Sequence, residues 1–287
     1  MRYLFLALLL ATSAHAQLTP DFQKWLQTHG YGAYDFARAD VPGGSFGGRT
    51  SARQRVRHEP VIFIHGNSDS ALGTGVKGLT GWRASIDEFQ AHGYTPAELY
   101  ATTWGPADLS QALLQTHSDV YVTRLRAFIE AVKAYTGAKR VDIVAHSMGV
   151  TLARRVIAGG GTLGAPLTSS IDTFVGIAGA NRGLAGCALA APGMPACNPT
   201  DGFAPTSAFL AALNTRHHYE GAHVYTIWSS ADNVIGFKTL VGDESTCRIP
   251  GQDAEVTYDA EPYTHIGVKD HTAEVQWRMV EKHIATK

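Results

Sequence analysis

The stretch Val141-Asp142-Ile143-Val144-Ala145-His146-Ser147-Met148-Gly149-Val150 decides the fold. Its first half is a β-branched, apolar run of the kind that forms a strand buried on both faces, and VTLARRVIAG (150–159) then takes up a helical pattern. Ser147 stands at the turn between them. A serine held on such a strand-to-helix turn needs small residues two positions before and two after, because strand and helix approach closely there. Gly149 meets that demand, and Ala145 meets it with one methyl more than the glycine of the usual GxSxG pattern. A serine at a strand end can also be a plain helix cap, but a strand before and a helix after are the context a nucleophile elbow requires.

Working outward, similar runs recur. PVIFIHG (60–66) reads as a second buried strand, and further strands are expected near Glu98–Thr102, Arg140–Ala145, Thr173–Ile177, Val224–Trp228 and Glu255–Tyr258. Helical patterns lie between them, among them VTRLRAFIEAVKAY (122–135). Strands alternating with helices predict an α/β protein with a mostly parallel central sheet and right-handed crossovers. No repeat or linker divides the chain, so residues 59–287 are expected to form one domain. Residues 17–58, with a short helix near DFQKWLQTH (21–29), a Gly-rich stretch and a basic run, read as an N-terminal arm packed on the core. The longest irregular stretch, from about Asn181 to Pro205, is expected to lie over the end of the sheet.

Composition narrows the function classes. The 287 residues are 45% hydrophobic and 17% charged, with Lys+Arg 24 against Asp+Glu 25, which is ordinary globular chemistry. That balance carries no basic field for nucleic acid. Residues 1–16, MRYLFLALLLATSAHA, join a basic start at Arg2 to an apolar run and an Ala14-His15-Ala16 ending, the pattern of a secretory signal peptide cut after Ala16. The apolar run is shorter than the roughly 20 residues of a membrane span, so no stable span is expected after cleavage. Export makes disulfides possible. Cys187 and Cys197 flank a short Ala/Pro/Gly loop and are expected to pair, which leaves Cys247 as a spare or buried thiol.

A serine hydroxyl needs a base to take its proton and an acid to hold that base, and on this kind of elbow the chain order is Ser, then Asp or Glu, then His. Asp232 follows the strand HVYTIWS directly, in Ser229-Ser230-Ala231-Asp232, so it emerges at the same edge as Ser147. Asp243, Glu244 and Asp259 are alternatives. For the base, His265 falls in the loop after the last strand and His271 near the start of the C-terminal helix; composition does not choose between them. The two oxyanion donors are expected to be the backbone N–H groups of Met148 and of Asn67, in the loop after the first buried strand. His65 reads as a loop brace and His146 as a pocket wall or structural residue. Gly73-Thr74-Gly75-Val76-Lys77-Gly78 matches GxGxxG but does not directly follow the strand, so it reads as a loop at the mouth of the site rather than a dinucleotide fingerprint. With no HExxH, CxxC or Walker pattern, no cofactor or catalytic metal is expected.

Taken together, PVIFIHGN, VDIVAHSMGV, SSAD and THIG, in this order and spacing, resemble class 2 lipases of the α/β-hydrolase superfamily over most of residues 59–287. Small bacterial lipases share AHSMG, SSAD and HIG. A lipase-like secreted polyhydroxybutyrate depolymerase shares PVIFIHGN, AYTG, VDIVAHSMGV and the start of the cysteine-flanked loop. The resemblance implies the α/β-hydrolase fold and a triad of Ser147, Asp232 and His265, the SSAD match favouring Asp232 and the HIG match His265 over His271. It implies a lipid or other ester substrate for a lipase or esterase, with polyester depolymerisation as the rival chemistry and a non-catalytic binding protein as the rival class. The 181–221 segment and the arm exceed the minimal lipase plan.

Overall fold

Seven strands form the central sheet of the structure, a computed structural model that describes residues 17–191 and 193–287; the leader expected at 1–16 lies outside the described residues. In chain order the strands are β1 (Ser45–Phe46), β2 (Val61–Ile64), β3 (Leu99–Thr102), β4 (Val141–His146), β5 (Ile171–Ile177) and β6 (His223–Ser229), then β7 (Leu240–Val241), β8 (Glu244–Ser245) and β9 (Ala254–Tyr258). The sheet order is β1-β3-β2-β4-β5-β6-β9, while β7 and β8 pair only with each other as a small hairpin. All neighbours in the sheet are parallel except β1, which lies antiparallel along β3. The helices are α1 (Pro20–Thr28), α2 (Arg83–Ala91), α3 (Asp119–Thr136), α4 (Met148–Ala158), α5 (Ala208–Leu213), α6 (Gly267–Asp270) and α7 (Ala273–Lys282).

Every residue of β2, β3, β4 and β5 is buried, which is why these strands read as continuous apolar runs. Successive side chains serve opposite faces. Ile62, Ile64, Ile143 and Ala145 join a layer with Phe22 of α1, Phe128 of α3, Val156 of α4 and Leu210 of α5, whereas Val61, Phe63 and Val144 join Phe89 of α2 and Met279 of α7. The expected α/β architecture, with helices on both faces, is therefore the observed one. Caps fix the longest helix: Ser118 accepts the Val120 N–H at its start, and Gly137 ends it in the left-handed region with its N–H on Lys133 O.

Two elements differ from expectation. The Gly-rich stretch carries β1, a two-residue edge strand, because Gly47 lets the chain lie so close to β3 that a Cβ there would stand 2.3 Å from Leu99 O. The segment between β6 and β9 holds the β7–β8 hairpin. Cys187 and Cys197 are joined by a disulfide, and Cys247 is free and buried, with burial pushing its thiol pKa up and away from nucleophilic use. No helix of the described residues is long and apolar enough to cross a membrane.

Candidate active site

Parallel strands deliver their carboxyl ends, and the loops that follow, to one edge of the sheet. Ser147 sits there between β4 and α4 with φ 54 and ψ −126, a conformation that lifts its hydroxyl clear of the strand. Its own N–H is tied to Ile177 O at 2.8 Å, at the end of β5. A Cβ at Gly149 would lie 2.5 Å from the carbonyl oxygens of both Ile64 and His65. Only glycine fits there. Ala145 is fully buried in the layer beneath, so its methyl is accommodated.

The loop after β9 brings His265 to Ser147: Nε2 lies 3.0 Å from Oγ, and Nδ1 lies 2.6 Å from Asp232 Oδ2. Asp232 arrives on the loop after β6 and is buried. Its Oδ1 accepts the N–H groups of Val234 at 2.9 Å and Ile235 at 2.8 Å. An acceptor so engaged orients the imidazole with the proton on Nδ1, leaving Nε2 to accept from the serine hydroxyl. The other candidates stay apart. His271 is exposed between α6 and α7, Asp243 and Glu244 are exposed at the β7–β8 hairpin with Glu244 paired to Arg182, and Asp259 is exposed after β9.

The backbone N–H groups of Asn67 and Met148 have no acceptor among the described residues. The Asn67 side chain donates to Ala112 O at 2.9 Å, which pins its loop to the 3₁₀ turn Leu109–Leu114. Behind that loop, His65 is sealed. It donates Nδ1–H to Gly66 O at 2.7 Å and accepts the Trp104 N–H on Nε2 at 3.1 Å, and burial lowers its pKa to about 3. It is a neutral brace.

His146 does more than line the pocket. Its Nε2–H donates to His265 O at 2.9 Å, so the residue beside the serine also holds the backbone of the histidine that faces it. Burial, with the positive charge that His265 and Lys269 can carry, holds His146 neutral. No signal in the sequence names that partner. Asp69 and Lys269 also brace the site, and no sequence motif marks either of them. Asp69 accepts the N–H groups of Ser70 and Gly81, and the buried Lys269 ammonium donates to Thr80 Oγ1, Gly81 O and Asp270 Oδ1, together fixing the 66–81 loop.

A cavity of about 300 Å³ opens onto Ser147 and His265. Its walls are mainly apolar, with Leu79, Leu109, Val234 and Ile266 alongside Asn67. The GxGxxG segment reaches it through Lys77 and Gly78. Val76, Leu109, Leu113 and Val234 are more than half exposed, so aliphatic side chains stand on and near its rim.

Residues 58–278 match the family described as Lipase (class 2). Among solved structures, the chain is similar to Aspergillus fumigatus lipase B at 15% identity and a TM-score of 0.57, over 84% of this chain; it spans 57% of that fungal protein. It is also similar to a structure from work on LipS and LipT, two metagenome-derived lipolytic enzymes, at 14% identity and a TM-score of 0.56, over 85% of this chain and 99% of that one. A third is the mature form of Bacillus licheniformis lipase BlEst2, at 13% identity and a TM-score of 0.53, over 81% and 96%. No curated protein sequence matches.

Proposed function

The chain belongs to the class 2 lipase family, a family of lipolytic hydrolases, and from that premise we propose that it is a secreted serine carboxylester hydrolase acting on acylglycerols or related lipid esters. The observation that carries this reading is the hydrogen-bonded line Asp232–His265–Ser147, at 2.6 and 3.0 Å, on a strained turn beside two unengaged N–H groups.

In the proposed mechanism Ser147 Oγ attacks the ester carbonyl while His265 Nε2 takes its proton. Asp232 keeps the imidazole in the required tautomer and balances the imidazolium that forms. The N–H groups of Asn67 and Met148 receive the oxyanion of the tetrahedral intermediate. His265 then gives its proton to the leaving alkoxide, which departs as the alcohol and leaves an acyl-serine. Water repeats the sequence on the acyl-serine and releases the carboxylic acid. The apolar cavity suits an acyl chain, and the aliphatic rim suits a substrate presented in an aggregate or surface. Secretion is supported by the leader pattern and by the Cys187–Cys197 bridge, a linkage of oxidising compartments.

The test is hydrolysis of p-nitrophenyl esters from short to long acyl chains by the purified protein and its Ser147→Ala variant. Turnover in the wild type alone, extending to long chains, is expected. No turnover of any ester, with release of soluble products from suspended polyhydroxybutyrate, would move the substrate class to polyesters. Silence on both would overturn the enzymatic reading.

A further inference from the structure

Three donor side chains of mixed chemistry meet at the amino edge of the sheet, the end opposite Ser147. Asp172 is the second residue of β5, His223 the first of β6, and His283 follows the last turn of α7. One ligand atom from each lies within 4.8 Å of the other two. His283 Nε2 is 3.1 Å from Asp172 Oδ2, and the two imidazoles lie face to face with ring centres 3.8 Å apart. We propose that Asp172, His223 and His283 form a binding site for a divalent cation of the zinc type, tying the end of α7 to the starts of β5 and β6.

Two imidazoles and a carboxylate select zinc and its transition-metal neighbours over calcium or magnesium, which take oxygen ligands. Three protein ligands leave the fourth tetrahedral position to water. With metal–ligand bonds of about 2.1 Å, tetrahedral ligand atoms stand about 3.4 Å apart, so rotation of the partly exposed His223 and the exposed His283 closes the set around the buried Asp172. Arg140 holds the other oxygen of Asp172 at 2.6 Å, orienting the carboxylate while leaving Oδ2 to the cation. Carboxyl oxygens of Glu59 and Asp142 lie within 4.8 Å of one on Asp172, and Glu59 Oε2 is buried with no hydrogen-bond partner. A cation beside this group offsets its negative charge.

Binding replaces the N–H that His283 Nε2 presents to Asp172 with a nitrogen–metal bond, the ring proton passing through solvent to Nδ1. Five residue steps of extended strand, from Asp172 to Ile177, put the ion roughly 16 Å along the sheet from the carboxyl edge. Its role is to fasten the last helix, and the inference does not rest on the proposed ester hydrolysis. Because only the folded chain assembles the three ligands, the cation stabilises the native state by mass action.

The experiment uses the full chain freed of metal by a chelator. Zn²⁺ is titrated by calorimetry and Co²⁺ by visible absorption, with thermal unfolding followed in parallel. One tight equivalent of Zn²⁺, an intense tetrahedral Co²⁺ spectrum and a rise in Tm of several degrees are expected. Ser147→Ala should bind as the wild type does, and His223→Ala and His283→Ala should each weaken Zn²⁺ by about tenfold or more. Should His223→Ala fail to fold, His283→Ala, at an exposed helix end, carries the test. Absence of a tight equivalent, or binding undiminished in the histidine variants, would overturn the site.

Discussion

At the carboxyl edge of the sheet, loops after β2, β4 and β9 bring Asn67, Ser147 and His265 to one cavity, and the loop after β6 places Asp232 behind His265; at the amino edge, the strand starts themselves bring Asp172 and His223 beside His283, with Glu59 and Asp142 adjacent. The first group is an ordered line of donors and acceptors backed by neutral, buried His65 and His146. The second concentrates carboxylates against one arginine and leaves a buried oxygen unpartnered. The first arrangement suits the proton transfer proposed for it, the second the cation proposed there. The same parallel sheet supports both because strand direction gathers side chains of distant sequence at each edge.

The largest effects are expected at the carboxyl edge. Ser147→Ala or His265→Ala is expected to lower kcat on esters by on the order of 10⁶, and Asp232→Ala by on the order of 10⁴, with combined variants little worse than the first two. Steady-state rates on folded protein check this. Equal small losses from all three would dissolve the proposed triad.

Gly149→Ala comes next. Its Cβ would meet two backbone oxygens at 2.5 Å, neither on a side chain free to move. The variant should lose about 1–3 kcal/mol of stability in urea unfolding and displace the serine, so activity falls with it. Wild-type stability in that variant would refute the tight strand–helix contact.

Buried histidines make the fold sensitive to acid. His65 and His117 have pKa values lowered by burial to about 3 and about 4, below the ordinary 6.5. A depressed folded-state pKa means the stability each contributes is complete above pH 6.5 and is lost as pH falls toward about 3 for His65 and about 4 for His117, a window in which the unfolded chain takes up protons the native one refuses. Each should steepen the loss by about 1.4 kcal/mol per pH unit in that window. His65→Gln should flatten the profile by one such step; an unchanged slope would place the acid sensitivity elsewhere.

The smallest effect belongs to the amino edge. Treatment with a chelator should lower Tm by a few degrees yet leave the initial rate of ester hydrolysis at 25 °C unchanged. A rate that fell with the metal would join the two edges that the structure keeps apart.

The carboxyl edge was far more legible than the amino edge. The runs at 60–66 and 141–146 are largely apolar, and Ser147, Asp232 and His265 each follow a strand, which brings them to one edge; the choice of Asp232 over Asp243, Glu244 and Asp259 and of His265 over His271 leans on the SSAD and HIG resemblance. By contrast β1 exists only because Ser45 and Phe46 find a partner in β3, and α2 begins after Trp82 with no side-chain cap. Neither has a strong local signal. Glu59, Asp142, Asp172, His223 and His283 carry no motif; their meeting depends on strand pairing and on where α7 ends. The His146–His265 bond is hidden for the same reason, since its acceptor is a backbone carbonyl 119 residues away.

The most direct measurement is covalent labelling with a serine-directed phosphonate ester, read by intact mass and peptide mapping. One adduct per chain is expected, on Ser147, forming at the rate at which ester hydrolysis is lost, absent from Ser147→Ala and slowed in His265→Ala. A protein that turns over esters while remaining unlabelled, or that is labelled at another residue, would contradict it.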